Sequence, residues 1–297
     1  MSKNIPQLKK NTFKYLLIGS NGLLGGELKK ILPRNQTISL ARNNASIILD
    51  LKNFSKLKKI FQKYKFKYVI NCAGITDLNF CQKNYKKCKI INSLLPKKLT
   101  KLSIKHDFKL IQISTDQFFK NNKFKLNSEK DKIYPINNYA KSKILCEKHV
   151  KENKKNLIIR TNFTGFKKRN KRSTFVGWLC DSILKKKTIN LYNDIYVSTL
   201  DVNACAKLIL KLIKLKAKGV FNCATNKPLT KKDFGIYFSK KISKKISYKE
   251  VSVNSASVKR QKYLGLKVDK IEKKLGMKMI SPYKAIDNLA SIHLNKK

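Results

Sequence analysis

The sequence predicts an α/β fold, in which a doubly wound parallel sheet of the Rossmann type carries a smaller C-terminal lobe. Strand and helix patterns alternate from Phe13 to about Arg160, and this rhythm implies a parallel sheet with helices on both faces. A glycine-rich turn follows the first strand pattern and opens the first helix pattern. Beyond Arg160 the alternation loosens, which indicates the second lobe. The 297 residues are enough for one large α/β unit with such an addition.

The elements take their bounds from short apolar runs and from apolar residues repeated at helical spacing. Strands are predicted, in order, at 13–18, 37–40, 46–49, 68–71, 108–113, 157–159 and 219–222. Helices are predicted at 22–32, 54–64, 91–106, 138–152, 175–184 and 201–213, and the tail holds three short helical patterns. The tail is therefore assigned to the smaller lobe.

The turn after the first strand reads Gly19-Ser20-Asn21-Gly22-Leu23-Leu24-Gly25. Glycines at this spacing are improbable by chance in a chain with only 11 of them. They permit a tight turn and let backbone N–H groups approach a pyrophosphate at the N-terminus of the next helix. The alternative, an ordinary strand–helix turn, is weaker because the flanking strand and helix match the fingerprint. The turn predicts a dinucleotide cofactor.

Residues at the ends of the next strands indicate which dinucleotide binds. NAD sites usually have an acidic residue after the second strand, but Ser39-Leu40-Ala41-Arg42 contains none. Arg42 suits a 2′-phosphate, so NADPH is favoured and NADH stays possible, although an ordinary surface arginine fits equally well. Asp50 and Leu51 are expected at the adenine edge. The small residues of Asn71-Cys72-Ala73-Gly74 would let a cofactor lie against the backbone.

On this basis the chain divides into three parts. We expect a loose leader at 1–11, a dinucleotide-binding Rossmann domain at 12–165 and 196–225, and a substrate-binding lobe at 166–195 and 226–297. The leader is polar and lacks the apolar stretch of a secretory signal. No run approaches 18 apolar residues, so a membrane span is not expected.

The net charge of +51, from 68 basic and 17 acidic residues, is the most unusual bulk property. It would suit nucleic-acid binding, but only six of the basic residues are arginines and the lysines spread over nearly every predicted helix face. A composition bias acting on solvated faces is preferred, so no specific nucleic-acid partner is predicted. A general attraction to polyanions that weakens with salt still follows.

The seven cysteines form no Cys-x-x-Cys pair, and several lie within apolar runs. Such thiols are typical of a reduced compartment, so a cytoplasmic location is expected. His106, His149 and His293 are far apart in the chain and show no ligand spacing, so the sequence predicts no metal site.

Tyr139 and Lys143 lie four residues apart at the start of a predicted helix, so both side chains face the same way. A lysine beside a phenol lowers the phenol pKa and makes it a usable proton donor. The spacing alone is weak evidence, because four Tyr-x-x-x-Lys pairs occur; the others begin at Tyr85, Tyr237 and Tyr263. Only Tyr139 follows a strand-end Ser-Thr-Asp, 24 residues after Thr115.

With these motifs the chain resembles the extended short-chain dehydrogenase/reductases, and among them dTDP-4-dehydrorhamnose reductase and its relatives. The resemblance covers roughly residues 14–278. It rests on the glycine turn, Asn71–Gly74, Ser114-Thr115-Asp116-Gln117, Tyr139-Ala140-Lys141-Ser142-Lys143 and Ile159-Arg160-Thr161-Asn162.

The resemblance implies roles for individual residues. Thr115, Tyr139 and Lys143 would form the catalytic triad. The cofactor residues would be Gly19, Asn21, Gly22, Leu23, Leu24, Gly25, Arg42, Asp50, Leu51, Cys72, Ala73, Gly74, Asn92, Tyr139 and Lys143. The substrate residues would be Thr76, Ser114, Thr115 and Asn162.

The sequence departs from the patterns of related enzymes in two ways that bear on the reaction. Related 4,6-dehydratases carry Asp-Glu after the threonine, whereas this chain has Asp116-Gln117, and it is shorter than typical epimerases and dehydratases. Both favour a simple reductase. The basic segment Lys167–Arg172 would suit the diphosphate of a nucleotide sugar, and a lysine-rich surface loop explains it equally well.

The sequence therefore predicts an NADPH-dependent reductase of the 4-keto group of a nucleotide-activated 6-deoxy sugar, serving surface polysaccharide synthesis, with a homodimer as a possible assembly. A nucleotide-sugar epimerase with bound NAD is the nearest alternative. A non-catalytic dinucleotide-binding regulatory subunit is another, and the intact Thr115, Tyr139 and Lys143 set argues against it.

Overall fold

The computed structural model describes residues 11–119, 125–167 and 174–295. The strands are β1 (Asn11–Ile18), β2 (Thr37–Ala41), β3 (Ile47–Ile48), β4 (Tyr64–Asn71), β5 (Lys109–Ile113), β6 (Leu157–Thr164), β7 (Ile189–Tyr192), β8 (Tyr196–Val197), β9 (Thr199–Asp201), β10 (Gly219–Cys223), β11 (Leu229–Thr230) and β12 (Tyr248–Val251). The α-helices are α1 (Leu23–Ile31), α2 (Phe54–Lys63), α3 (Leu78–Lys83), α4 (Tyr85–Lys89), α5 (Leu95–Lys105), α6 (Asn138–Val150), α7 (Phe175–Leu184), α8 (Val202–Lys214), α9 (Lys231–Lys241), α10 (Asp269–Leu275) and α11 (Pro282–Leu294).

An eight-stranded parallel sheet organises the chain. Its order is β10-β6-β5-β4-β1-β2-β3, and β9 continues along the end of β6. The chain winds outward from β1 in one direction through β2 and β3, and then in the other through β4, β5 and β6. The strand order therefore reverses between β1 and β4, where doubly wound sheets bind their ligands. The predicted α/β fold class is confirmed.

Both faces of the sheet are buried, as the alternation along β1 shows. Tyr15 and Leu17 pack in one apolar cluster with residues of α1 and α8, whereas Leu16 and Ile18 pack in a second cluster with residues of α2 and α5. A fully buried aliphatic side chain of this kind stabilises the fold by roughly 1.5–3 kcal/mol relative to an exposed one. The continuous apolar run in the sequence is thus explained by helices on both sides.

A third apolar cluster lies in the C-terminal part of the chain. It joins α7, β7, α9 and α11 through residues such as Val176, Leu179, Phe234, Phe238 and Ile286. Two small sheets accompany it, the parallel pair β7–β12 and the antiparallel pair β8–β11. The predicted domain boundaries stay a prediction.

The region after β4 differs from the expectation of one helix at 91–106. The chain forms α3, α4, a π-helical turn at Ile90–Leu94 and then α5. Asp77 starts α3, because its carboxylate accepts a hydrogen bond from the N–H of Phe80 at 2.9 Å. Asn84 separates α3 from α4 with a non-helical backbone at φ −125° and ψ 52°. These short helices lack the repeated apolar spacing that marks a longer one.

Two predicted features lie partly or wholly outside the described residues. They are the leader at 1–11 and the basic segment Lys167–Arg172. Within the described ranges, no helix combines the length and the apolar character that crossing a bilayer requires.

A buried ion pair joins α6 to the sheet. Glu147 of α6 accepts hydrogen bonds from Arg160 Nε at 3.0 Å and from Arg160 Nη2 at 2.7 Å, and both side chains are about fully buried. The Arg160 guanidinium also lies 5.1 Å from the ring centre of Phe118 and 5.2 Å from that of Phe119. Because a buried charge without a partner is costly, each member depends on the other.

Replacing Arg160 by Met should lower the free energy of unfolding by about 3–5 kcal/mol, since it leaves the buried Glu147 carboxylate with only the half-exposed Lys151 at 3.7 Å as a cation. Urea unfolding measures the change. The matched control is Lys155→Met, which breaks an exposed ion pair of equal length to Asp107, 2.7 Å, and should change stability by less than about 0.5 kcal/mol. Equal effects of the two replacements would contradict the structural role given to Arg160.

Candidate active site

Helix α6 presents its polar residues in one line toward the sheet. Asn137 fixes the start of the helix, because its side chain accepts a hydrogen bond from the N–H of Ala140 at 2.8 Å. Tyr139, Lys143 and Glu147 then follow at intervals of four residues and share one face. All three are buried, with Tyr139 5% and Lys143 4% exposed. The cap thus sets where the phenol and the ammonium meet the sheet.

Two hydrogen bonds attach this face to the carboxyl end of β5. Lys143 Nζ donates to the carbonyl oxygen of Ile113 at 2.9 Å. Ser114 Oγ donates to Glu147 Oε1 at 2.7 Å. The Ser114 hydroxyl is thus engaged with a buried carboxylate, and the contact with substrate that the resemblance implies stays a prediction. Ser114 therefore holds the strand end to the helix.

Thr115 forms a side-chain hydrogen bond with Tyr139. The expectation that Lys143 makes the phenol acidic is wrong for this structure. Burial raises the pKa of Tyr139, the hydrogen bond with Thr115 lowers it, and the nearby Asp116, Cys81 and Cys88 raise it further. The ammonium of Lys143 is held at the Ile113 carbonyl instead. Tyr139 therefore keeps its proton well above neutral pH.

Asn92 and Gly74 lie beside Lys143. Asn92 Oδ1 accepts from the N–H of Ile75 at 2.9 Å, and its Nδ2 donates to the carbonyl oxygen of Ile75 at 2.9 Å. A methyl group at Gly74 would lie 3.6 Å from Asn92 Oδ1 and 4.0 Å from Lys143 Nζ. Gly74 is exposed, so a flat ring has an approach to the lysine here. The π-helical turn supplies Asn92, and such turns are frequent at functional sites.

The glycine turn lies at the reversal of the strand order. Gly19 has φ +77°, and a Cβ there would approach Ala73 N to 2.8 Å. A Cβ on Gly25 would lie 2.2 Å from the carbonyl oxygen of Gly19. Among the described residues, no side chain caps the N-terminus of α1 at Gly22. Its backbone N–H groups are thus available to an anion, as at phosphate-binding helix termini.

The other residues implied at the cofactor take varied places. Arg42 and Asp50 are exposed, whereas Leu24 and Leu51 belong to the apolar clusters. Asn21 Nδ2 donates to Oδ1 of Asn43 at 2.8 Å, which ties the glycine turn to the segment after β2.

The remaining predicted positions surround the strand ends. Leu23 lines the groove beside the glycine turn. Cys72 is partly buried, and burial raises the pKa of its thiol. Ala73 packs against the second apolar cluster, and Thr76 is exposed.

Apart from the groove beside the glycine turn, a cavity of 190 Å³ opens between the end of the sheet and the C-terminal part of the chain. Asn162 and Gln117 line it from the sheet, and Trp178, Lys231 and Arg260 line it from the opposite side. Lys231 and Arg260 bring positive charge, and the Nε of Arg260 is buried without a partner among the described residues. Burial lowers the pKa of Lys231 to about 8, against the opposing effect of Asp116. Two cations beside an aromatic ring suit a ligand with phosphates and a flat base.

Asp116 connects this cavity to Thr115. Its Oδ2 accepts from Asn162 Nδ2 at 3.1 Å, and its Oδ1 accepts from Gln117 Nε2 at 3.0 Å and from Thr115 Oγ1 at 3.4 Å. Burial raises the pKa of Asp116, while the hydrogen bonds of Gln117 and Asn162 and the charge of Lys231 lower it.

Sequence reasoning missed four residues that the structure brings to the site: Glu147, Trp178, Lys231 and Arg260. Glu147 carried a signal, since it continues the four-residue spacing of Tyr139 and Lys143. Lys231 carried no such signal, because lysines occur throughout this chain.

Comparison with known proteins agrees with this geometry. The family described as the RmlD substrate binding domain matches residues 13–291. The chain belongs to this family. The kinship predicted from the motifs is therefore confirmed.

Individual relatives are distant. The chain is 26% identical over 230 residues to the probable low-salt glycan biosynthesis reductase Agl14 of Haloferax volcanii, covering 73% of this chain and 76% of that protein. It is 28% identical over 152 residues to the dTDP-4-dehydrorhamnose reductase of Aggregatibacter actinomycetemcomitans, 51% of each chain. This second match spans about half of that enzyme.

One solved structure shows how far the fold is shared. The dTDP-4-dehydrorhamnose reductase of Bacillus anthracis, crystallised in complex with NADP, superposes with a TM-score of 0.84 over 95% of this chain and 98% of its own, at 23% identity. At this identity the likeness concerns the fold.

Gly25→Ala should destabilise the protein by about 1–3 kcal/mol, because its Cβ would collide with the backbone of the glycine turn. Gly26→Ala is the matched control, since a Cβ there meets nothing closer than 3.9 Å and should stabilise the helix by about 0.4–1 kcal/mol. Thermal unfolding of both variants tests the pair. A neutral Gly25→Ala would show that the turn tolerates a side chain.

Proposed function

We propose that this protein reduces the 4-keto group of a nucleotide-activated 6-deoxy sugar with NADPH, as a step toward surface polysaccharide. The observation that carries the proposal is the convergence of Thr115, Tyr139 and Lys143 beside Gly74, next to a cavity with two cations. The relatives named as reductases support the same reaction class.

The chain is an NADPH-dependent oxidoreductase of this family. The Bacillus anthracis relative is a complex with NADP, and this chain offers a glycine turn that leaves room for a backbone-bound pyrophosphate at α1. The bound dihydronicotinamide supplies the hydride. Arg42 is exposed after β2, where a guanidinium suits a 2′-phosphate.

Tyr139 is the proton donor in this proposal. Because burial raises its pKa, the phenol stays protonated at neutral pH and its proton can pass to the alkoxide that forms on the sugar. Thr115 holds the carbonyl oxygen from the other side, which fixes its angle to the incoming hydride. Lys143, buried within 4.0 Å of the Gly74 position, holds the nicotinamide ribose.

Gln117 favours reduction over dehydration. Dehydratases of this kind place a glutamate at this position, whereas the amide of Gln117 has no titratable proton and donates to Asp116 at 3.0 Å. The site therefore has no carboxylate at this position to remove a proton from the sugar.

The cavity at Lys231 and Arg260 would take the nucleoside diphosphate of the substrate. A guanidinium and an ammonium match the charge of a diphosphate, and Trp178 offers a ring face to the base. Asn162 lines this cavity and donates to Asp116, so the sugar would lie between them and Tyr139.

Tyr139→Phe should keep NADPH affinity and lose roughly 10²- to 10⁴-fold in kcat, because the proton donor is gone while the ring remains. NADPH oxidation against nucleotide-linked 4-keto sugars measures turnover, and fluorescence titration measures cofactor binding. The matched control is Tyr263→Phe, in another Tyr-x-x-x-Lys pair, which should behave as wild type. Near-normal turnover of Tyr139→Phe would rule out the assignment, and turnover without added NADPH by a protein purified with NAD would favour the epimerase.

Substrate binding should weaken as the pH rises above about 8, because Lys231 then loses its charge. The lysine is cationic below this pKa and neutral above it, so KM for the nucleotide sugar rises on the alkaline side. Lys231→Arg stays charged throughout this range and should give a flat KM profile. Identical profiles for the two proteins would show that Lys231 does not contact the diphosphate.

A further inference from the structure

Two thiols that the proposed reaction does not use lie directly behind the catalytic tyrosine. Cys81 of α3 and Cys88 of α4 are fully buried, and their sulfur atoms are 2.7 Å apart. On one continuous helix, seven residues would separate them by about two turns, roughly 10 Å. The chain leaves helical geometry at Asn84, between α3 and α4, and the two sulfur atoms meet.

The surroundings of Cys88 favour a thiolate. Asn92 Nδ2 donates to Cys88 Sγ at 3.2 Å, and Ser142 Oγ lies 3.6 Å from the same sulfur. The hydrogen bond with Cys81 lowers the pKa of Cys88 most, burial opposes it, and the net pKa is about 7. The charge of Lys143 acts in the same direction. Since the thiolate is the reactive form of cysteine, Cys88 can react near neutral pH.

We propose that Cys81 and Cys88 are a modification site, a dithiol that hydrogen peroxide oxidises to a reversible intramolecular disulfide. The sulfur of Cys88 attacks one peroxide oxygen, the O–O bond breaks, and Cys88 becomes a sulfenic acid as hydroxide leaves. The Cys81 sulfur then attacks Cys88, the S–O bond breaks, and water leaves with the Cys81 proton. The Cys88 thiolate and the Cys81 thiol together lose two electrons, and the peroxide becomes one water and one hydroxide.

The disulfide would act on the site through Asn92 and Tyr139. Asn92 Nδ2 also holds the Ile75 carbonyl, and Cys81 Sγ lies 3.6 Å from that oxygen. Tyr139 packs in the same apolar cluster as both cysteines. Joining the sulfurs removes the hydrogen-bond acceptor that Cys88 offers to Asn92. The Asn92 side chain, which lies beside Gly74, would then shift. If the proposed reduction holds, the oxidised form has a lower kcat.

A second cysteine pair provides an internal control. Cys205 and Cys223 are also buried and hydrogen-bonded to each other, but this bond and burial raise the pKa of Cys223 well above its usual value. The two pairs differ in their surroundings, because the Asn92 amide lies 3.2 Å from the Cys88 sulfur, whereas the Thr161 hydroxyl lies 3.7 Å from that of Cys205. We expect Cys205 and Cys223 to stay reduced under conditions that oxidise Cys81 and Cys88.

The test counts thiols in the folded protein after brief peroxide treatment, an alkylating quench and unfolding, with peptide mapping of any cross-link. Wild type should lose two of its seven thiols, recover both with dithiothreitol, and yield a Cys81–Cys88 peptide. Cys205→Ala should do the same. Cys81→Ala should form no cross-link, and its Cys88 should react with peroxide more slowly than in wild type, because it has lost the hydrogen bond with Cys81 that favours its thiolate.

Seven thiols retained in wild type, or a cross-link between other cysteines, would overturn the proposal. If Cys81→Ala does not fold, peptide mapping of wild type and of Cys205→Ala still shows whether Cys81 and Cys88 form the disulfide. The count does not depend on turnover, so its result is separate from that of the proposed reduction. The kcat of oxidised and re-reduced wild type then shows whether the disulfide reaches the catalytic residues.

Discussion

The carboxylate of Glu147 is the contact on which the candidate site depends. It takes two hydrogen bonds from Arg160 of β6 and one from Ser114 at the end of β5. Because Glu147 lies two turns beyond Tyr139 on α6, these bonds fix the rotation of the helix about its own axis. The phenol must then face Thr115, and Lys143 must reach the Ile113 carbonyl. An ion pair in the core thus determines geometry at the sheet edge.

The burial that positions the site also sets its protonation. Taking Tyr139 out of water raises the pKa of the phenol, so it carries its proton when substrate arrives. Asp116 shows the same effect, moderated by the hydrogen bonds of Gln117 and Asn162. The same loss of hydration thus acts on both groups, and the neighbouring hydrogen bonds oppose it at each of them.

Much of this architecture could be predicted from the sequence, because its determinants are local. The glycine turn is required by backbone contacts within seven residues and at Ala73. Tyr139 and Lys143 are fixed by helical spacing. The break at Asn84 and the pairing of Cys81 with Cys88 were not predictable, since they depend on how short helices pack. The partner of Glu147 was hidden because a lone glutamate among lysines resembles a surface residue.

The composition explains which residues mark the structure. Because 68 residues are basic and only 17 are acidic, the position of a lysine says little about its role. The position of a carboxylate says much more. Asp201 caps α8 and accepts from Asn288 of α11 at 3.0 Å. Asp194 accepts from Ser252 and from the N–H of Val253 at 2.6 Å and 2.8 Å. Although cations are abundant in this chain, the buried Asp201 binds amide and backbone donors, and the partly buried Asp194 adds an ion pair with Lys262 at 3.1 Å to its hydroxyl and backbone donors. The acidic residues therefore act as junctions between elements, and they identify long-range contacts that the lysine-rich background conceals.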